Sequence, residues 1–502
     1  MSKKRKLLND PSEDKWNSLS REDLIDRCKQ LETHVHQLRN VLAKVTNQSD
    51  KNNFKNGTLS SSVDNVSIDN TDSNPSSKKK KAKELRPFDF SRYNKRHIFL
   101  KLVYLGWEYE GFVTQEHTSQ TVEKFLFDAL IRTRLIESRE TSNYHRCGRT
   151  DRGVSAFTQV ISLTVRSNKD SGKGVTASDN KKESNSDDEL QYARMLNSVL
   201  PDTIRILAWS PVEQAKSARF DCISRSYRYY FPKADLDLDL MRDAAKLLIG
   251  IHDFRSFCKL DIGNNVVTFI RQIYDVKIDL LDGTTFYQDN PGYQMCELIV
   301  SGSGFLWHQI RCVVAILIAI GQKKEEVQLV SDLLDIEKHP CKPHYVIASE
   351  LPLVLFDCQF EDVEWLYDEK DSLTTIRYLQ RHWTSYQVRS TMLSKMLETL
   401  EKTYYSTISR ASEPILGQLS ILENPQTLFE STKKPYLPIL QRQTRSSIEQ
   451  SVDNYIKRKR LDCSVQDFLN KKHQKEKGTT LTVTKEDEEE KTNIPSTNTV
   501  YY

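Results

Sequence analysis

The sequence predicts an α+β fold built on a mixed or antiparallel sheet. Between residues 93 and 361, segments with the alternating polarity of strands interleave with amphipathic helical segments. Several of the strands are separated only by turns, which disfavours a doubly wound parallel sheet. With 502 residues, the chain is long enough for two or three domains and a sizeable core.

The N-terminal region is expected to carry one helix between two disordered stretches. Residues 1–20 are polar and contain the basic cluster Lys3 to Lys6. Residues 21–46 predict a short coiled coil, or one amphipathic helix that folds back, because apolar residues alternate four and three apart. These residues are Leu24, Cys28, Leu31, Val35, Leu38, Leu42 and Val45. Residues 47–92 have too few large apolar side chains to order, so a disordered linker is expected there.

The next segments predict strands and helices over residues 93–210. "HIFLKLVYLG" has Ile98, Leu100 and Leu102 on one face, as in a strand, and "SQTVEKFLFDALIRT" is an amphipathic helix that Ser119 or Thr121 would cap. A strand that alternates apolar residues at 161, 163 and 165, the helix "YARMLNSVLP" and the strand "DTIRILAW" follow. The polar residues 168–189 are expected to form a disordered insertion.

Residues 211–361 predict a second set of similar elements. The strands are "SRSYRYYF", "IYDVKIDLL" and "YQMCELIVSG", and "MRDAAKLLIG" is a helix between the first two. "FLWHQIRCVVAILIAIG" predicts a buried helix, and "KKEEVQLVSDLLD" predicts an amphipathic one. Residues 362–473 predict a charged helical extension, and residues 474–502 a disordered tail.

Composition and cysteine pattern disfavour several classes of protein. The net charge is only +4, so contact with nucleic acid would come from local patches. Nine cysteines without a C-x-x-C pair or a secretory signal predict a reduced intracellular protein. The longest apolar run is too short to span a bilayer, so no membrane association is expected. His339, Cys341 and His344 lie in a proline-containing loop without a second metal-ligand pair, so no zinc is expected there.

The stretch "RCGRTDRGVSAFTQVISLTV" contains the main candidate for chemistry. Asp151 lies between Arg149 and Arg152 in a glycine-flanked turn that leads into a strand. Aspartate and glycine are common in ordinary turns. A carboxylate surrounded by Arg146, Arg149 and Arg152 would, however, be held ionised, and an oriented carboxylate is a nucleophile or a base. No phosphate loop, serine-esterase elbow or zinc-peptidase motif is present.

A second charged candidate lies in the buried helix. Arg311 stands between Gln309 and Val313 in an otherwise apolar segment, where a cation needs an anionic partner. Asp151 is the natural partner.

The two lysine-rich clusters, Lys3 to Lys6 and Lys78 to Lys81, favour nuclear import or diffuse attraction to phosphate, and a location in nucleus and cytoplasm is expected.

"GRTDRGVSA" resembles the signature turn of the TruA family of tRNA pseudouridine synthases. "YLGWEYEGFVTQ", "LNSVLPDTIRI", "ARFDCISRSYRYYF", "GIHDFRSFCK" and "GFLWHQIRCVVAILIAIG" resemble other segments of that family in the same order. The resemblance covers about residues 97–360, and it is closest to the eukaryotic branch that modifies uridines 38 and 39 of tRNA.

The resemblance implies roles for particular residues. Asp151 would be the catalytic nucleophile, and Arg311 would pair with it. Tyr227, in "SRSYRYYF", would stack on the target base and assist proton removal. Arg149 would help to open the stem, and the neighbouring residues Thr150 and Arg152 would also bind substrate.

The resemblance also implies an architecture and partners. Two similar halves, residues 93–210 and 211–361, would share one continuous sheet with the active site in a central cleft. The substrate would be tRNA, the chain would be a homodimer, and no cofactor or metal would be needed. Attack on the base, attack on the sugar and a glycal route stay open. A catalytically inactive tRNA-binding or chaperone-like protein on the same fold is the alternative, and a coiled-coil scaffold is a third reading.

Overall fold

The structure, a computed structural model, describes residues 88–180, 188–260, 268–282, 293–403 and 435–470. The predictions for residues 1–20, 21–46 and 474–502, and for most of the linker 47–92, concern residues outside these ranges. Both lysine-rich clusters also lie outside them.

Within the described residues, one large sheet organises the chain. Its strands are β1 (Asn94–Tyr104), β2 (His145–Arg146), β3 (Ser155–Ser167), β4 (Val175–Thr176), β5 (Ile204–Pro211), β6 (Ser224–Pro232), β7 (Gly250–Asp253), β8 (Ile270–Leu280), β9 (Met295–Gly302) and β10 (Leu353–Gln359). The helices are α1 (Val122–Arg132), α2 (Tyr192–Asn197), α3 (Leu238–Lys246), α4 (Gln309–Gly321), α5 (Leu329–Leu334), α6 (Glu369–Thr403) and α7 (Ile448–Lys459).

The sheet is continuous and mixed, which confirms the predicted α+β class. The strand order is β4-β1-β3-β10-β6-β9-β8-β7, with β2 added to β3 and β5 added to β1. All pairs are antiparallel except β3 with β10. Strands from residues 94–211 therefore lie on one side of the β3–β10 junction, and strands from residues 224–359 lie on the other.

Two hydrophobic clusters flank this junction. One contains residues of β1, β3, β5, α1 and α2, and the other contains residues of β6, β8, β9, α3, α4 and α5. Strand β10 contributes to both, since Leu353 belongs to the second cluster and Leu355 to the first. The apolar helix α4 is almost entirely buried, as its sequence predicts.

Several local predictions need correction. The second amphipathic helix is shorter than predicted, because α5 begins only at Leu329. Thr121 is the residue that precedes α1, but its side chain makes no capping hydrogen bond. The first turn of α1 instead uses backbone carbonyls, since the amide of Glu123 donates to Phe112 O at 2.8 Å.

The predicted disordered insertion at 168–189 is wrong for the part that the structure describes. Residues 168–180 include strand β4, which pairs with β1. Asn94 Nδ2 donates to Lys169 O at 2.8 Å, and the Arg96 guanidinium lies 2.9 Å from Glu189 Oε2. Polar side chains in β1 thus order a segment that has few apolar residues, which composition alone does not reveal.

The end of the predicted linker is also ordered. The ring of Phe88 stacks on Tyr93 with centroids 5.0 Å apart, and the guanidinium groups of Arg134 and Arg166 lie over its face. A short 3-10 helix, Phe90–Arg92, then leads into β1. The folded part of the chain therefore includes residues 88–92, which the sequence predicts to be part of the linker 47–92.

The extension after residue 361 packs on the sheet domain at several places. The beginning of α6 buries Thr375 and Tyr378 near α2 and β5. Farther along the chain, Ile439 is buried in the second cluster, and its amide donates to Glu325 Oε1 at 2.7 Å. None of the helices in the described ranges is long and apolar enough to cross a membrane.

Candidate active site

The candidate site is built on the loop that joins β2 to β3. Backbone hydrogen bonds hold this loop, because the amide of Phe112 donates to Thr150 O at 3.1 Å and that of Gly153 donates to Tyr109 O at 3.0 Å. Gly153 has a φ of +76°, a conformation that favours glycine. The tight turn therefore presents Asp151 just before the start of β3.

Two residues before helix α4 contact the Asp151 carboxylate. Trp307 Nε1 donates a hydrogen bond to Asp151 Oδ1 at 2.9 Å, and His308 Nε2 lies 3.5 Å from Oδ2. His308 is left-handed, with a φ of 62°, which is uncommon for a residue other than glycine. This strained residue brings the N-terminal end of α4 to the carboxylate, where the helix dipole favours negative charge.

The His308 contact is not an ion pair at neutral pH. Burial, followed by the positive charges of Arg311 and Lys259, lowers the pKa of His308 to about 3. The imidazole is therefore neutral, and it contacts Asp151 without neutralising its charge.

The environment of Asp151 raises its pKa above the usual value for an aspartate. Burial is the largest cause, and the negative charge of Glu350 adds to it. Arg311, the Trp307 hydrogen bond and Lys259 act in the opposite direction. An ionised carboxylate in this position is less stabilised than in water, so it is a better base and nucleophile than an exposed aspartate.

Arg311 does not form the direct ion pair with Asp151 that we expected. Its Nη2 lies 2.8 Å from Glu350 Oε2, and its Nε donates to Ala348 O at 2.6 Å. Arg311 still lowers the pKa of Asp151 through its charge. Glu350 and the Ala348 carbonyl thus contact the guanidinium, and the Asp151 oxygens are contacted by Trp307 and His308.

The arginines of the turn do not surround Asp151 either. Arg146 pairs with the buried Glu123 at 2.8 Å, and Arg152 lies 3.4 Å from Glu110 with a side chain that is 73% exposed. The side chain of Arg149 is also exposed. Arg149 and Arg152 are thus exposed at the surface of the turn, while Arg146 stabilises the interior.

Thr150, which is predicted to bind substrate, makes a structural contact within the domain. It is buried, and its hydroxyl shares a 2.7 Å hydrogen bond with the hydroxyl of Tyr104. Burial raises the pKa of Tyr104 well above its ordinary value, so the tyrosine remains protonated. This buried hydrogen bond attaches the turn to strand β1, next to Asp151.

Tyr227 lies on β6, two strands from β3. In the row of paired residues that crosses the junction, Leu355 is opposite both Ala156 and Tyr227. The Tyr227 ring meets Phe305 edge to face, with centroids 5.3 Å apart. Burial raises the pKa of Tyr227 well above its ordinary value. A permanently protonated phenol fits a stacking role better than that of a ready base.

The sequence did not single out Trp307, Glu350 and Lys259. Lys259 Nζ lies 4.3 Å from the centroid of the Trp307 ring, and its amide donates to Trp307 O at 2.9 Å. The only sequence signal was position: Trp307 lies four residues before Arg311, and Glu350 lies within "SELPLVLFDC". Neither residue type at that position indicates contact with Asp151.

We expect Trp307→Phe to move the acid limb of the pH–rate profile to higher pH. The phenyl ring keeps a surface for Lys259 but removes the donor that lowers the pKa of Asp151. A hydrogen bond to a charged group is worth about 1.5–3 kcal/mol, so the rate on the acid side should fall about tenfold or more and recover as pH rises. Trp383→Phe, at an exposed position on α6, is the control. An acid limb at the wild-type pH would contradict this role for Trp307.

Comparison with known proteins identifies related enzymes. A family model described as tRNA pseudouridine synthase matches residues 244–361. The tRNA pseudouridine(38/39) synthase of Homo sapiens is 40% identical over 454 residues, which are 88% of this chain and 89% of the human protein. That of Saccharomyces cerevisiae is 41% identical over 307 residues, 60% of this chain and 65% of the yeast protein. A tRNA pseudouridine synthase A of Methanothrix thermoacetophila is 29% identical over 308 residues, 61% of this chain and 99% of the archaeal protein.

The mixed sheet, the Asp151 turn and these similarities define one class of enzyme. The chain belongs to the family of tRNA pseudouridine synthases, of the TruA type. Its similarity to the tRNA pseudouridine(38/39) synthase of Homo sapiens extends over most of both chains, which confirms the resemblance seen in the sequence.

Proposed function

We propose that this enzyme converts uridine to pseudouridine at positions 38 and 39 of the tRNA anticodon arm, with Asp151 as the nucleophile. The observation that carries the proposal is the partly buried Asp151 carboxylate. Trp307 orients this carboxylate, and its partial burial raises its pKa. A protein that only binds RNA has no need for such a carboxylate.

The reaction requires little besides an oriented carboxylate. The bond from uracil N1 to the sugar breaks, the base turns, and a bond from uracil C5 to the sugar forms while the C5 proton is lost. Attack by Asp151 on the base, its attack on the sugar, and removal of a sugar proton all need the ionised form. The route through Asp151 therefore fails at low pH in every case.

Tyr227 and the exposed arginines would handle the substrate. The target uridine must leave the base stack to reach Asp151. The protonated Tyr227 ring, set against Phe305, would offer a stacking surface for the base. Arg149 and Arg152 would contact phosphates or occupy the space that the flipped nucleotide leaves, reading the shape of tRNA more than its sequence.

We further propose that residues 93–210 and 211–361 are two similar halves with the site between them. The division of the strands at the β3–β10 junction supports this arrangement.

We also propose a homodimer, supported by the exposed apolar residues Met392, Leu393, Met396 and Leu400 on α6, and light scattering of the full chain tests it. We also propose a location in nucleus and cytoplasm, which the lysine-rich clusters support and which imaging of a tagged chain tests.

Chemical mapping of modified transcripts tests the proposed positions. Four tRNA transcripts would carry uridine at 38 only, at 39 only, at both, or at neither, with cytidine as the replacement. We expect carbodiimide mapping to detect pseudouridine at each available position of the first three transcripts and at no other uridine. Modification outside the anticodon arm would contradict the assignment. Tight binding of all four transcripts without modification would favour the inactive tRNA-binding alternative.

A further inference from the structure

Three cysteines that are far apart in the sequence bring their thiols together beside the active-site turn. Cys147 Sγ lies 3.2 Å from Cys222 Sγ and 3.3 Å from Cys358 Sγ. All three sulfurs lie within 4.8 Å of one another, and all three residues are buried. Within the described ranges, this is the one group of three or more potential metal-ligating side chains that are this close together.

We propose that Cys147, Cys222 and Cys358 bind one Zn²⁺ ion through their sulfurs. Thiolates are preferred zinc ligands, and a Zn–S bond of about 2.3 Å places the sulfurs of a tetrahedral site about 3.8 Å apart. The distances from the Cys147 sulfur to the other two sulfurs, 3.2 and 3.3 Å, need to increase by only about half an ångström to reach that spacing. A water molecule would complete the four ligands, as it does in other zinc sites with three protein ligands.

The charge around the cluster suits this ion. Three thiolates and Zn²⁺ carry one net negative charge, and a buried charge needs a partner. Arg225 supplies it: its Nη2 donates to Cys147 O at 3.1 Å, and its Nη1 donates to Cys222 O at 3.3 Å. The guanidinium thus fixes the backbone of two ligands and offsets the charge of the site, as residues around a metal centre commonly do.

The position of the cluster gives the ion a role in the enzyme. Cys147 immediately precedes the turn that carries Asp151, Cys222 precedes β6 with Tyr227, and Cys358 belongs to β10 between them. A zinc ion there would hold the turn in place relative to β6 and β10. Cys222 and Cys358 follow Cys147 by 75 and 211 positions, so no local spacing of cysteines in the sequence could have indicated the site.

Metal analysis of the full-length protein tests the proposal. We expect about one equivalent of Zn²⁺ per chain after reducing purification without a metal-affinity step. Cys222→Ser should lose most of it, whereas Cys341→Ser and Cys463→Ser, outside the cluster, should keep it. Retention of zinc by Cys222→Ser, or its loss in Cys341→Ser alone, would overturn the assignment.

A second measurement on the wild type avoids dependence on the folding of the variants. Co²⁺ exchanged into the protein should give intense thiolate-to-cobalt charge-transfer bands in the near ultraviolet. Wild-type protein without stoichiometric zinc and without these bands would mean that the three thiols are only packed together. A disulfide between Cys147 and either neighbour, found by mass spectrometry of the protein unfolded without reductant, would also overturn the proposal.

Discussion

Asp151→Asn is expected to abolish isomerisation and, at the same time, to raise the melting temperature. The amide keeps an oxygen that accepts from Trp307 but cannot act as a nucleophile or base, so the rate should fall by about 10⁴-fold or more. Burial raises the pKa of Asp151, which means that its negative charge costs free energy in the folded state. The neutral side chain removes that cost.

The sign of this effect gives a pH test. Because the pKa of Asp151 is raised in the folded state, its ionisation destabilises the folded state. This destabilisation is absent below the pKa of an unfolded aspartate and complete above the folded-state pKa. The difference in melting temperature between Asp151→Asn and wild type should therefore grow as pH rises from acid to neutral, by about 2–4 °C for each kcal/mol relieved. Asp239→Asn, at a side chain that is 89% exposed, is the control. A variant that is less stable than wild type at neutral pH would contradict the account.

Arg311→Met is expected to lose both stability and activity. The change leaves the Glu350 carboxylate without its partner at 2.8 Å and removes a charge that lowers the pKa of Asp151. Loss of one partner from a largely buried pair should lower the free energy of unfolding by about 2 kcal/mol. The rate should fall most on the acid side, because Asp151 then ionises at higher pH.

The double variant separates the two effects. Arg311→Met with Glu350→Gln removes both charges, so it should recover much of the stability lost in Arg311→Met but not the wild-type rate. Urea unfolding and single-turnover kinetics of the four proteins measure this cycle. The same cycle at the exposed pair Arg152–Glu110 should give a coupling of about 1 kcal/mol or less. A double variant as unstable as Arg311→Met would mean that Arg311 acts through packing alone.

The sequence was sufficient for most of the sheet because its strands alternate clearly and its helices have distinct apolar faces. The turn around Asp151 was also recognisable, since the surrounding residues match a known signature. The periodicity of apolar residues predicts such strands and helices because each of them buries one face in the core. The same reasoning failed at residues 168–180, where the ordering groups Asn94 and Arg96 lie in a different strand.

The partners of the charged residues could not be predicted from the sequence. Arg311 forms its ion pair with Glu350, which follows it by 39 positions, and Arg146 forms its ion pair with the buried Glu123. The charge of a buried arginine requires an anionic partner nearby. It does not determine which carboxylate of the chain that partner is. The three cysteines beside the turn pose the same problem, because they converge from separate segments.

Release of tritium from tRNA labelled at C5 of uracil tests the central claim most directly. Wild type and Asp151→Asn would be compared in single turnover, with tRNA binding and melting temperature measured on the same samples. We expect release by wild type and none by Asp151→Asn, although the variant binds tRNA with the wild-type Kd. Release by Asp151→Asn at the wild-type rate would contradict the assignment of Asp151 as the nucleophile.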